Sequence, residues 1–236
     1  MSRIMVVNPN TTAAMTEAVV TAARAIAAPG IEIVGGTAKH GMSSIESHVD
    51  EVWGALAVLE QVRAGERDGV DAYVVACFGD TGVPAAREVA RGPVVGMTEA
   101  ALFTAASLAH RFAVVTMPRR TLEQSDRVVR SVGLEQRCTV RAVDVPVADV
   151  AHGSGHLLEL FAAESRSALD EDAAEAIVLG CAGLTDLVRP LAETLGVPVV
   201  DGVLAGVTMA EGLLAQGLST SRRSTFAAPE RLDPES

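Results

Sequence analysis

Residues 71–81 read DAYVVACFGDT, and residues 175–185 read EAIVLGCAGLT. In each, a Val-rich run of strand character ends on a cysteine and is broken at once by small and polar residues. The shared pattern is [Asp/Glu]-Ala-x-Val-[Val/Leu]-[Ala/Gly]-Cys-x-Gly-x-Thr, and the two copies stand nearly half the 236-residue chain apart. Downstream, GPVVG (92–96) and GVPVVDG (196–202) follow at nearly equal distances, while upstream MVVNPNTT (5–12) has a looser echo in AVVTMPRRT (113–121). Three correspondences in the same order read as a duplicated unit.

Outward from these stretches, strand and helix patterns alternate. Strands are expected over 4–7, 31–36, 72–76, 94–96, 111–116, 138–145, 176–180 and 197–200. Helices are expected from 11 or 12 to the Pro29–Gly30 break, and over 49–64, 82–90, 99–109, 122–131, 157–170, 187–195 and 203–215. A loop around HGSG (152–155) precedes the long helix, and the tail from Ser219 reads as loosely structured. Such alternation indicates parallel sheets built from right-handed crossovers. The expected fold class is α/β: two pseudo-symmetric domains, each a mainly parallel sheet flanked by helices, with the active site in the cleft between them. Residues 1–97 plus 207–236 form the first domain in this reading, and 98–206 the second.

Composition narrows the function. The chain is 49% hydrophobic with a formal net charge of −11, and its longest basic grouping, Arg119–Arg120, is too small for a nucleic-acid face. No run reaches the roughly 18 to 20 apolar residues of a membrane span. The N-terminus enters a strand pattern directly, without a signal-peptide pattern, so a cytoplasmic protein is expected. Cys77, Cys138 and Cys181 lack Cys-x-x-Cys spacing, and His152 and His156 are separated by GSG, so no metal site and no disulfide framework is expected. Gly-x-Gly-x-x-Gly after the first strand, the Gly-Lys-Ser/Thr loop and the Gly-x-Ser-x-Gly elbow are all missing, so dinucleotide, nucleotide-phosphate and serine-hydrolase readings lack their motifs.

A single cysteine at a strand end is most simply a small buried residue. Two at matching positions of a repeat suggest more. Units packed as a pseudo-dimer would face these loops across a cleft, bringing Cys77 and Cys181 to opposite sides of one molecule. Inversion of a carbon by proton transfer needs such a pair, a thiolate to remove the proton and a thiol to return one. A free thiol titrates near about 8.5, and a helix N-terminus just after it would favour the thiolate. Gly79 and Gly183 would let backbone approach a ligand closely, with free N–H groups for an enolate oxygen. Cys138 enters a strand and reads as structural. Asn8–Thr12 reads as a helix cap, Asp80 as a cap of the next helix in the chain, and Glu46 as a capping or solvated residue rather than an acid/base group. Thr116, the second-half echo of Asn8, is a candidate for the same cleft.

VVNPNTT, SSIES, VVACFGDTG, VVGMTEAA and IVLGCAGLTDL, in this order, resemble the aspartate/glutamate/hydantoin racemase superfamily, and within it the hydantoin and allantoin racemase branch. The resemblance runs from Ile4 to about Gly217. It implies cofactor-independent racemisation of 5-substituted hydantoins, allantoin included, with the family's cysteine pair matching Cys77 and Cys181. It further implies that Asn8, Phe78, Gly79, Ala182 and Gly183 line the substrate site, with Ile45 and Thr116 as further candidates, and that the protein is a homo-oligomer acting on a small molecule. The chain departs from the family pattern at Thr81, often proline, and at Pro118, one position early in TMPRRT, which bears on substituent preference more than on chemistry. Other superfamily chemistries (aspartate or glutamate racemisation, arylmalonate decarboxylation, maleate isomerisation) and a non-enzymatic small-molecule binding protein are the competing readings.

Overall fold

Val-rich runs become strands here because both faces of each sheet are covered, so branched side chains are buried on either side. In the computed structural model, residues 1–150 and 156–230 are described in full, and residues 151, 152, 154 and 155 by backbone alone. Strands β1 (Ser2–Asn8), β2 (Ile31–Thr37), β3 (Ala72–Val75) and β4 (Val94–Gly96) form one parallel sheet in the order β2-β1-β3-β4. Strands β5 (Phe112–Thr116), β6 (Cys138–Ala142), β7 (Ile177–Gly180) and β8 (Val199–Asp201) repeat it as β6-β5-β7-β8. The duplication read from the two cysteine stretches is thus a duplication of topology, strand for strand.

Eight helices complete the alternation among the described residues. They are α1 (Ala13–Ile26), α2 (His48–Arg67), α3 (Val83–Val89), α4 (Met97–Leu108), α5 (Leu122–Ser131), α6 (Ser154–Glu171), α7 (Val188–Leu195) and α8 (Gly202–Ala215). Two of them cross between the halves. Helix α4 leaves β4 of the first sheet, yet Ala101, Leu102 and Ala105 bury themselves with Phe112, Val114 and Val178 of the second. Helix α8 leaves β8 of the second sheet, and Val203, Val207 and Ala210 pack with Ile4, Val74 and Val95 of the first. The pair pack on one another, and Gly202 permits the approach: a Cβ there would stand 2.8 Å from the Met97 carbonyl oxygen.

Three local expectations are corrected. Thr12 occupies the N-cap of α1 without capping it; its hydroxyl donates to the Ser43 carbonyl, and its N–H is bound by the Asn10 carboxamide oxygen. Asp80 does not cap α3, the next helix in the chain. Its two oxygens accept from the Thr98 and Glu99 amides at 2.8 and 2.9 Å, so it caps α4 instead. The described part of the tail is docked: Ser219 donates to the Arg91 carbonyl, and Arg222 to those of Arg87, Glu88 and Phe226. Residues 231–236 and part of the HGSG segment lie outside the described residues. Among those described, no helix is long and apolar enough to cross a membrane.

Candidate active site

In each sheet the winding reverses between the first and third strands, β1/β3 and β5/β7. Parallel sheets open a crevice at such a point, outside the strands' carboxyl ends. The two crevices face each other and make one pocket, with an empty volume of about 430 Å³ including its mouth. Asn10 enters from the loop after β1, Cys77 and Phe78 from the turn after β3, Thr116, Met117 and Thr121 from the end of β5 and the turn beyond it, and Cys181 with Ala182 from the end of β7. Ile45 and Val147 close the sides, and Gln124 reaches in from the first turn of α5.

The pocket therefore brings together Ile45, Cys77, Phe78, Thr116, Cys181 and Ala182 of the residues singled out in the sequence. Three others stand behind its wall. Asn8 is 3% exposed and its carboxamide is used internally, accepting from Asn10 N and donating to Asn10 Oδ1 and Thr16 Oγ1. It folds the NPN turn so that Asn10, two residues on, lines the pocket. Gly79 lies in the turn at φ +107° and donates its N–H to Thr98 Oγ1, which anchors the turn to α4. Gly183 sits one residue past Ala182, its N–H hydrogen-bonding Cys181. Asn10 and Thr121 lie inside the echoing stretches MVVNPNTT and AVVTMPRRT, where the sequence alone does not single them out, and Gln124 carries no repeat signature at all.

The loop before α2 reaches across the cleft. Glu46 Oε1 accepts from Ser44 Oγ at 2.8 Å and from the Val147 amide at 3.1 Å, tying the first half to the second. Glu46 is thus a clasp, neither a helix cap nor a solvated residue.

Both thiols are held neutral. Burial is the main cause that pushes Cys77 up to about 12; the Thr81 hydroxyl, 3.6 Å away, opposes it, while the charge of Cys181 and then of Asp80 and Glu51 adds to it. Burial likewise lifts Cys181 to about 11 against its Gly183 hydrogen bond, with Glu46 and Asp201 adding negative charge. The sequence-based expectation of a helix-stabilised thiolate is corrected for both. The turn Phe78–Gly82 separates Cys77 from α3, and Cys181 leads only into a short 3-10 helix, Ala182–Leu187. Desolvation outweighs these local dipoles. Because each charge would oppose the other, ionisation of one sulfur disfavours ionisation of its partner.

A direct consequence concerns reagent chemistry. Only the thiolate attacks an alkylating agent, and well below the pKa its fraction grows tenfold per pH unit. Iodoacetamide modification of Cys77 and Cys181, followed by mass spectrometry on the unliganded protein, is expected to accelerate about 100-fold between pH 7 and 9. A plateau reached by pH 8 would mean that the site stabilises a thiolate after all.

Comparison with known proteins places this arrangement. A family model described as Asp/Glu/Hydantoin racemase matches residues 4–210. The chain is 42% identical over 230 residues to a protein named hydantoin racemase from Pseudomonas sp. (strain NS671), covering 97% of this chain and 92% of that one. It is similar in structure to allantoin racemase from Klebsiella pneumoniae, with a TM-score of 0.95 at 47% identity over 98% of this chain and 95% of that one. The allantoin racemase of Pseudomonas fluorescens superposes with a TM-score of 0.95 at 40% identity, covering 99% and 100% of the two chains.

Proposed function

The chain belongs to the Asp/Glu/hydantoin racemase family, and from that premise we propose that it racemises 5-substituted hydantoins, using Cys77 and Cys181 as the acid/base pair and no cofactor. The single observation that carries this reading is that two cysteines from matching strand ends of a duplicated fold line one pocket from its two halves.

The chemistry follows from that placement. A hydantoin ring lies with C5 between the sulfurs. One sulfur, as thiolate, takes the C5 proton; the C–H electron pair passes into the ring, and negative charge gathers on the C4 carbonyl oxygen. The other sulfur, as thiol, delivers its proton to the opposite face of C5. The enantiomer leaves, and the two sulfurs have exchanged roles. Asn10 supports ring recognition: its Oδ1 is occupied by Asn8 and by the Thr12 amide, while among the described residues its Nδ2 has only a weak contact to Met15 Sδ at 3.6 Å and remains a donor for a carbonyl. The charge is best stabilised by such fixed donors, which need no reorganisation as it forms.

A homo-oligomer is part of the same reading. Val49, Val52, Trp53 and Leu56, at helical spacing on α2, are 66, 71, 48 and 48% exposed, an apolar stripe suited to self-association. The three free cysteines, Cys77, Cys138 and Cys181, fit a reducing compartment such as the cytoplasm.

Enantiopure allantoin and 5-benzylhydantoin incubated with the protein in D2O test the reading. The C5 proton signal and the optical rotation should decay together, above the non-enzymatic background. Neither decay with either compound would move the substrate to free amino acids or diacids.

A further inference from the structure

Most polar groups lining the pocket are already partnered inside the protein. The Thr116 hydroxyl donates to the Gly180 carbonyl at 2.9 Å, and the Thr121 hydroxyl to that of Pro118 at 2.8 Å. Gln124 differs. It is 4% exposed and lines the pocket, and among the described residues its carboxamide has no hydrogen-bond partner. Its amide is not sealed away in the core, so it opens onto the pocket and is available to whatever the pocket holds.

Its surroundings hold it in place. Gln124 lies on the first turn of α5, where Ser125 Oγ donates back to the Thr121 carbonyl. A side chain at Gly79 would meet the Gln124 Cβ at 3.6 Å, so the stem of Gln124 lies against the turn that carries Cys77. With the Asn10 donor serving the ring in the proposed pose, Gln124 is the polar lining side chain left for what the ring carries at C5.

Resting on the racemase reading above, we propose that Gln124 is a specificity-determining residue that recognises a C5 substituent with a hydrogen-bonding edge, a ureido or primary amide group, so that the preferred substrate is of the allantoin type rather than a 5-alkyl or 5-aryl hydantoin. A carboxamide offers one acceptor oxygen and two N–H donors. A ureido group presents a complementary edge: its N–H donates to Oε1 while its carbonyl accepts from Nε2. An alkyl substituent fills the same space and leaves the Gln124 amide unpaired. Sites built to hydrogen-bond a substrate group reject the analogue lacking it far more strongly than they reject a change in size.

Allantoin and 5-isobutylhydantoin make the test, because the ureido and isobutyl groups have the same number and branching of heavy atoms. The quantity read is the ratio of kcat/KM for the two, with non-enzymatic racemisation subtracted. The native protein is expected to favour allantoin by about 100-fold or more, and Gln124→Leu to reduce that ratio by about 30-fold. Gln124→Met keeps the length of the stem and is expected to act alike, covering the case in which leucine disturbs packing. A ratio unchanged in both variants, or a native protein that turns over both compounds equally, would overturn the assignment of Gln124 while leaving the racemase reading in place. Turnover of neither compound by the native protein would overturn the racemase reading, and this assignment with it.

Discussion

Cys77→Ser and Cys181→Ser are each expected to lower racemisation by about 1,000-fold or more, within the range lost when a positioned acid or base is removed. Serine keeps nearly the shape of cysteine, but its hydroxyl is a far weaker acid and cannot serve as the base near neutral pH. Inversion needs both faces of C5, so one surviving sulfur does not suffice. The surviving sulfur can still remove and return a proton on its own side. Each single variant should therefore exchange the C5 proton of one enantiomer with D2O without inverting it, and the two variants should choose opposite enantiomers. Proton NMR and polarimetry on enantiopure substrate separate exchange from inversion. Native rates of inversion in both variants would rule out the two-thiol mechanism, whatever the substrate.

Gly96→Ala is expected to damage both stability and catalysis although Gly96 touches no ligand. A Cβ at this position would stand 2.2 Å from the Asp80 Cγ and 2.4 Å from both of its oxygens. Asp80 has little freedom to move away. It sits at φ +53°, its oxygens hold the first amides of α4, and the Gly96 amide beside it donates to Glu99 Oε1. Burial, then the Glu99 charge, raises the Asp80 carboxyl to about 7 in spite of its hydrogen bonds to Thr98 and Glu99. Overpacking of this kind costs about 3 kcal/mol, which for a chain of this size lowers Tm by roughly 6 to 12 °C. Because Asp80 is three residues from Cys77 on the same turn, a displaced sulfur should also reduce kcat by about tenfold or more. Thermal unfolding and turnover, measured on one preparation, check both. A Tm within about 2 °C of native would mean that the turn yields freely.

The Val-rich runs made the strands readable, and the repeated cysteine stretch made the topology readable, since one unit folded twice has few ways to pack. What the sequence did not disclose arises between the halves. The thiol pKa values depend on how deeply each cysteine is buried, so a helix start just after each one in the sequence pointed the wrong way. Asn8 and Asn10 are both plausible ligands in NPNTT, and only the hydrogen bonds inside the turn decide that Asn8 braces and Asn10 faces the pocket. Gln124 occupies a position in LEQSDRVVRS that a helical pattern assigns to packing, and nothing in its neighbours signals an open carboxamide. The docked tail escaped notice for a related reason: Arg222 is held by main-chain carbonyls, which any residues could provide.

The exchange of α4 and α8 has a bearing on descent. Each half lends a helix to the other's core: α8 of the second covers the first sheet, and α4, whose Met97 and Ala100 stay with the first core, carries Ala101, Leu102 and Ala105 into the second. A gene half as long would have encoded a subunit obliged to trade its last helix with a twin, with two identical sulfurs across a true twofold axis. In the single chain that constraint is absent and the two halves differ: Cys77 has a threonine hydroxyl beside it, Cys181 a main-chain amide, and among the described residues the glutamine that lines the pocket comes from the second unit. A symmetric ancestor would have met both enantiomers with equal surroundings, whereas the fused chain can grip a lopsided molecule by its one distinctive arm.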